Sequence, residues 1–177
     1  MPHDQLVLAQ TAVVSELNDA DRAWPLAFTA ARAYLPLVEA TALTTLTVSV
    51  IPLGRKNEKI SRTHELETFD IGIDIQQRVT PTDTDTIDTL IRLVGKILDW
   101  FSDGHNLATM PTLKVNSVEN PEAYNMPRLH YHRIFESYIV VTLTGAKDQG
   151  KHSELLWDTG GGSLLQGNGG RILIERD

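Results

Sequence analysis

Between Phe69 and Gln76 the chain reads Phe-Asp-Ile-Gly-Ile-Asp-Ile-Gln, a strict alternation of apolar and polar residues. A period of two sends neighbouring side chains to opposite sides of an extended backbone, which is what a strand with one wet face requires. A few residues later Ile87, Leu90, Ile91, Val94, Leu98 and Phe101 fall at helical spacing, so one stripe of that cylinder is greasy. The pair predicts a sheet covered by helices on one face and open on the other. Such a scaffold needs a partner or a ring to finish it. No catalytic constellation stands out along the chain, so the sequence points to an assembly part rather than an enzyme.

The other segments fill in around this nucleus. Leu6, Ala9, Val13, Val14 and Leu17 make an apolar stripe over residues 4–19, with Asp4 placed to cap a helix. Phe28 to Leu35 reads as a strand that Pro36 interrupts, and 37–42 as a loop. Thr45 to Ile51 is a second strand, with Leu46, Val48 and Val50 on one side and Thr45, Thr47 and Ser49 on the other. Gly54 to Arg62 is polar and basic and reads as a long connection, so the strands on either side of it form an antiparallel hairpin. A helix follows Pro81 and runs to about Ser102, with Thr82 and Asp85 spaced as a capping box. Leu113 to Val118 suggests a short strand, Asn120 to Pro127 an irregular loop, and Ile134 to Thr144 a strong last strand. The predicted class is α+β: a mostly antiparallel sheet flanked by two helices, in the order α-β-β-β-α-β-β. This domain spans 1–147, and a Gly-rich C-terminal extension spans 148–177.

With 177 residues, one domain is the default, and 41% hydrophobic residues suffice for a core. Cysteine is absent, which excludes disulfides, iron–sulfur clusters and thiolate zinc sites. A net charge of -7 argues against binding DNA by neutralising phosphates, although an acidic surface could let DNA slide past. The first residues lack the basic and apolar blocks of a signal peptide, and no apolar run approaches a membrane span. The expectation is a soluble protein made in a cytoplasm.

Several motifs invite chemistry and each has a plainer reading. His130 and His132 stand two apart near Glu136, and on a strand they would share a face, but spacing indicates no third or fourth metal ligand. Asp158-Thr159-Gly160 has the form of an aspartic-protease triplet, yet the residues after it are glycine-rich and it reads better as a turn. The glycines of the extension lack the Lys-Ser/Thr of a phosphate loop. Asp70 and Asp74, four apart on a strand, are about 13 Å apart by rise, too far for acid–base pairing, and are expected to face solvent or a lumen. Arg55, Lys56, Lys59 and Arg62 are expected to be solvated or to contact protein. No catalytic, cofactor-binding or metal-binding residue is assigned.

Val14-Ser15-Glu16-Leu17-Asn18, Phe28-Thr29-Ala30-Ala31-Arg32-Ala33-Tyr34 and Leu46-Thr47-Val48-Ser49-Val50-Ile51-Pro52 are followed by Phe69-Asp70-Ile71-Gly72-Ile73-Asp74-Ile75-Gln76-Gln77 and Phe135-Glu136-Ser137-Tyr138-Ile139-Val140-Val141-Thr142-Leu143. In this order, over roughly residues 5–145, the chain resembles tail terminator and head–tail joining (neck) proteins of long-tailed bacteriophages. The resemblance implies a helix-flanked sheet that assembles as a ring, commonly a hexamer, at the head-proximal end of the tail tube. Its partners would be copies of itself, the tail tube protein and a head-closure or connector protein, with DNA only as passing cargo. Its place would be the virion neck, after assembly in the host bacterial cytoplasm. The family carries no catalytic residues to transfer. The alternatives are a head-closure or other adaptor protein, a non-viral protein-binding module of the same fold, and a small enzyme using His130, His132, Glu136 or Asp158.

Overall fold

The computed structural model describes residues 4–35, 43–61, 64–80 and 82–148. Arg62, the 37–42 loop, Asp158-Thr159-Gly160 and the Gly-rich extension beyond Asp148 lie outside the described residues. The elements in chain order are α1 (Asp4–Leu17), β1 (Ala30–Arg32), β2 (Thr47–Lys59), β3 (His64–Arg78), α2 (Thr84–Ser102), β4 (Asn106–Leu107), β5 (Met110–Glu119), α3 (Met126–His132) and β6 (Ile134–Asp148). The class is α+β, with a mixed, curled six-stranded sheet ordered β1-β2-β3-β6-β5-β4. Among the described residues β1 alone pairs parallel, and the other pairings are antiparallel.

β3 is the spine. Its alternation sends Phe69, Ile71, Ile73 and Ile75 into the core, all fully buried. Register sets Ile139, Val141 and Leu143 of β6 beside Ile73, Ile71 and Phe69, and Val48 and Val50 of β2 beside Ile75 and Ile73. Cross-strand apolar pairs of this kind, most of them β-branched, stabilise a sheet. Each such side chain contributes about 1.5–3 kcal/mol by leaving water. The helical layer closes this face: Leu90, Leu93, Val94, Ile97 and Phe101 of α2 and Ala9, Val13 and Leu17 of α1 are buried against it.

Local signals explain the helix ends. Asp83, one residue past the expected cap, accepts hydrogen bonds from the Thr86 amide at 3.1 Å and the Thr86 hydroxyl at 2.7 Å. Asp83 therefore does what the Thr82–Asp85 spacing was expected to do. α2 stops at Asp103, and Gly104 follows at φ 63°, a left-handed turn that glycine adopts without strain.

The structure departs from the sequence expectation in four places. The basic stretch Gly54–Lys59 is no loop: it continues β2, in register from Gly54 opposite Asp70 to Lys59 opposite Glu65, after a bulge between Pro52 and Gly54. Charges across the pair supply the compensation that its low strand propensity lacks. The first strand shrinks to Ala30–Arg32 and pairs parallel with β2, so the sheet is mixed. Two elements absent from the expected order appear after α2, the short β4 and the helix α3. In α3 Asn125 caps the start and Pro127 sits in the first turn, so His130 and His132 lie on a helix, both exposed, and not on a strand. Lastly, the second sheet face is not wet throughout, because Asp74 and Gln76 are buried on it.

Candidate functional site

On the face of β3 opposite the core stand Asp70, Gly72, Asp74 and Gln76. Asp74 and Gln76 are each only 1% exposed, which contradicts the solvent- or lumen-facing role expected for Asp74. The period of two tells which side a residue takes, not what covers that side. Register brings Tyr138 of β6 opposite Asp74 and Glu136 opposite Gln76. The Gln76 amide nitrogen donates to Asp74 Oδ2 at 2.7 Å and to Glu136 Oε1 at 2.9 Å, tying two carboxylates together. Arg128 of α3 pairs with Glu136 Oε1, and the Asn125 side-chain amide donates to Glu136 Oε2 at 3.1 Å. The Asn125 backbone N–H also donates to the Glu136 carbonyl at 2.7 Å, which pins the start of α3 onto β6. Glu136 is thus held from three sides.

Asp74 is less well served. Its Oδ1 is buried and has no hydrogen-bond partner among the described residues. Burial, together with the nearby negative charge of Glu136, pushes its carboxyl up to about 7, against the smaller opposing pulls of Arg128 and the Gln76 hydrogen bond. Tyr138 is also raised, by burial first and by Asp74 second. Its ring lies over Gly72, where an added Cβ would sit 2.7 Å from Tyr138 Cζ. Glycine is required there because an aromatic ring occupies the space of its side chain. Beside Glu136 and Tyr138 opens a small cleft of about 150 Å³, walled also by Pro121, Glu122 and Asn125. The cluster can take up or release a proton at Asp74 near neutral pH.

The remaining sequence candidates do not join this site. Asp70 is half-buried and accepts a hydrogen bond from the Thr142 hydroxyl at 2.8 Å. Arg55 pairs with Glu67 at 2.5 Å and lies 5.7 Å from the Phe69 ring centroid, on the helix-covered face. Lys59 shares that face while Lys56 takes the other, so strand geometry splits the basic residues instead of gathering them. Lys56 and Lys59 are exposed at the end of the β2–β3 hairpin, and Arg62 is outside the described residues. Among the described residues no group of three His, Asp or Glu could hold a metal ion, and no helix is long and apolar enough to cross a membrane.

A second buried carboxylate belongs to packing. Glu16 of α1, with a side chain 1% exposed, pairs with Arg22 at 3.0 Å and accepts the Ala108 backbone N–H at 2.6 Å. Arg22 stacks over Trp100 of α2, 3.4 Å from the ring centroid. One carboxylate therefore links α1, the segment after it, α2 and the turn joining β4 to β5.

Sequence reading did not find Gln76, Arg128, Asn125 and Tyr138 as one network. The alternations Asp74-Ile75-Gln76 and Glu136-Ser137-Tyr138 were visible; the register that sets them opposite each other was not. No protein-family model and no curated protein matches this sequence.

Proposed function

We propose that this chain is a structural component of the neck of a long-tailed bacteriophage, a tail terminator whose copies close a ring over the tail tube. In this reading the fold is the helix-flanked, mainly antiparallel domain that the resemblance implies, followed by the Gly-rich extension. The work is steric. Subunits bury surface against one another, the ring halts tube growth, and its far side meets a head-closure or connector protein. DNA passes through as cargo and the acidic chain does not grip it.

The observation that carries the reading is the end of the β2–β3 hairpin. Lys56 to Ile60 are all exposed, and Ile60, a large aliphatic side chain, is 62% exposed. A hairpin end that buries nothing of its own chain's core is a surface for a neighbour. Tyr34, Leu35 and Leu53 add exposure of 66%, 73% and 46% near the β1 and β2 edge of the sheet. Edges of this kind are normally covered or paired.

Electron microscopy and mass measurement of the purified protein, alone and mixed with tail tubes, test the proposal. Rings that bind tube ends are the expected outcome. A monomer at every concentration, indifferent to tubes, would refute it.

A further inference from the structure

A groove of about 450 Å³ runs between the segment after α1 and the second half of α2, with Asp21, Trp24, Asp99, Trp100 and Asp103 among its lining residues. Two indoles in one concave surface are what anchoring sites at protein interfaces are rich in. Its two cations are already engaged: Arg22 by Glu16, Asp19 and the Trp100 ring, and Lys96 by the Ala23 carbonyl at 3.2 Å. Asp21, Asp99 and Asp103 are exposed and form no ion pair among the described residues. The groove is therefore aromatic inside and acidic at its rim. It fits a cationic segment with an aliphatic side chain to lay against indole.

The β2–β3 hairpin end has that chemistry. Lys56 and Lys59 are exposed and form no ion pair among the described residues, and Ile60 follows directly. Among the described residues no part of the hairpin end lines this groove, so its seat is open to the hairpin end of a second copy.

We propose that the hairpin end of one copy, through Lys56, Lys59 and Ile60, docks in the Trp24–Trp100 groove of the next copy. This rests on the ring reading above and gives it a contact. The contact joins two different surfaces, so it is heterologous and propagates around a ring or along a filament. Because rim charges take part, association weakens as salt rises.

Charge exchange in the full chain tests it. Lys59→Glu and Asp99→Lys each weaken self-association at least about fivefold by sedimentation velocity at low salt, and the chain carrying both recovers to within about twofold. Asp99 is exposed and unpaired among the described residues, so Asp99→Lys leaves the melting temperature unchanged, whereas Lys59→Glu faces Glu65 across the strand pair and lowers it slightly, equally in the single and the combined variant. Single variants that assemble like the parent, or a combined variant no better than either single one, overturn the docking while leaving the ring intact. A parent chain that never self-associates overturns the ring reading and the docking with it.

Discussion

Replacing Asp74 with asparagine keeps the shape of the side chain and removes its charge. Asp74 titrates at about 7 in the folded chain and near 3.8 when free in solution. Because the folded value is the higher one, the native state binds more protons than the unfolded state between those two values. Stability therefore falls as pH rises from about 4 to about 7, and levels off above that range, where both states are ionised. Below about 4 both states are protonated and this group contributes no slope. Integrated over the window, ionised Asp74 costs the fold up to about 4 kcal/mol.

The amide of the Asp74→Asn variant carries no such penalty and still offers one oxygen to the Gln76 side chain, which in the parent bonds Oδ2 at 2.7 Å. Its new N–H groups need acceptors, which takes back about 1–2 kcal/mol if none is found. The expected outcome is a variant about 1–2 kcal/mol less stable than the parent at about pH 4 and about 2–3 kcal/mol more stable at about pH 8. Urea denaturation of both chains at several pH values measures the difference, and subtraction cancels the other titrating groups. A difference that stays flat across the window would refute the claim that burial holds this carboxyl high. A difference of the opposite sign would show that the ionised form is stabilised by a partner.

Two glycines should respond in opposite directions. Gly72→Ala drives a methyl into the Tyr138 ring and should destabilise by about 1–3 kcal/mol in chemical denaturation. Gly95→Ala, in the middle of α2 with nothing within 4 Å of a new Cβ, should stabilise by up to about 1 kcal/mol in the same assay. Glu16→Ala leaves the Ala108 amide without its acceptor and Arg22 with only Asp19 and the Trp100 ring, and should lower stability by about 2 kcal/mol with an early loss of tryptophan signal from Trp100. A fall under about 1 kcal/mol would mean that water replaces the carboxylate at little cost.

What the sequence made legible is what neighbouring residues decide among themselves. The core side of β3 follows from Phe69, Ile71, Ile73 and Ile75 alone, and part of the buried stripe of α2 from Leu90, Val94 and Phe101, although Leu93 and Ile97 complete it while Ile87, Ile91 and Leu98 are only half-buried. Elements whose stability comes from across the sheet were misread. Gly54–Lys59 has loop composition, yet Arg55 meets Glu67 on the facing strand and the hairpin continues. The start of α3 had a signal of its own, Asn125 followed by Pro127 two residues on, an N-cap and a first-turn proline that the histidines nearby obscured. Asp74 shows the deepest limit. Its side was predictable and its burial was not, since that depends on Tyr138, Glu136 and Arg128, which lie far along the chain.

Those same contacts separate folding from assembly. The Asp74 network joins β3 to β6, while Lys59 stands opposite Glu65, nine residues earlier on β3, and the tryptophan groove lies between α2 and the segment after α1. Mutations more than about 10 Å apart with no shared partner act independently. Asp74→Asn should therefore move the pH dependence of unfolding and leave self-association of the folded chain unchanged. Lys59→Glu should do the reverse. If instead Asp74→Asn altered association at a pH where both chains are fully folded, the polar face of the sheet would itself belong to the subunit contact. The buried carboxyl would then report assembly as well as folding, because a neighbour covering that face would change its desolvation.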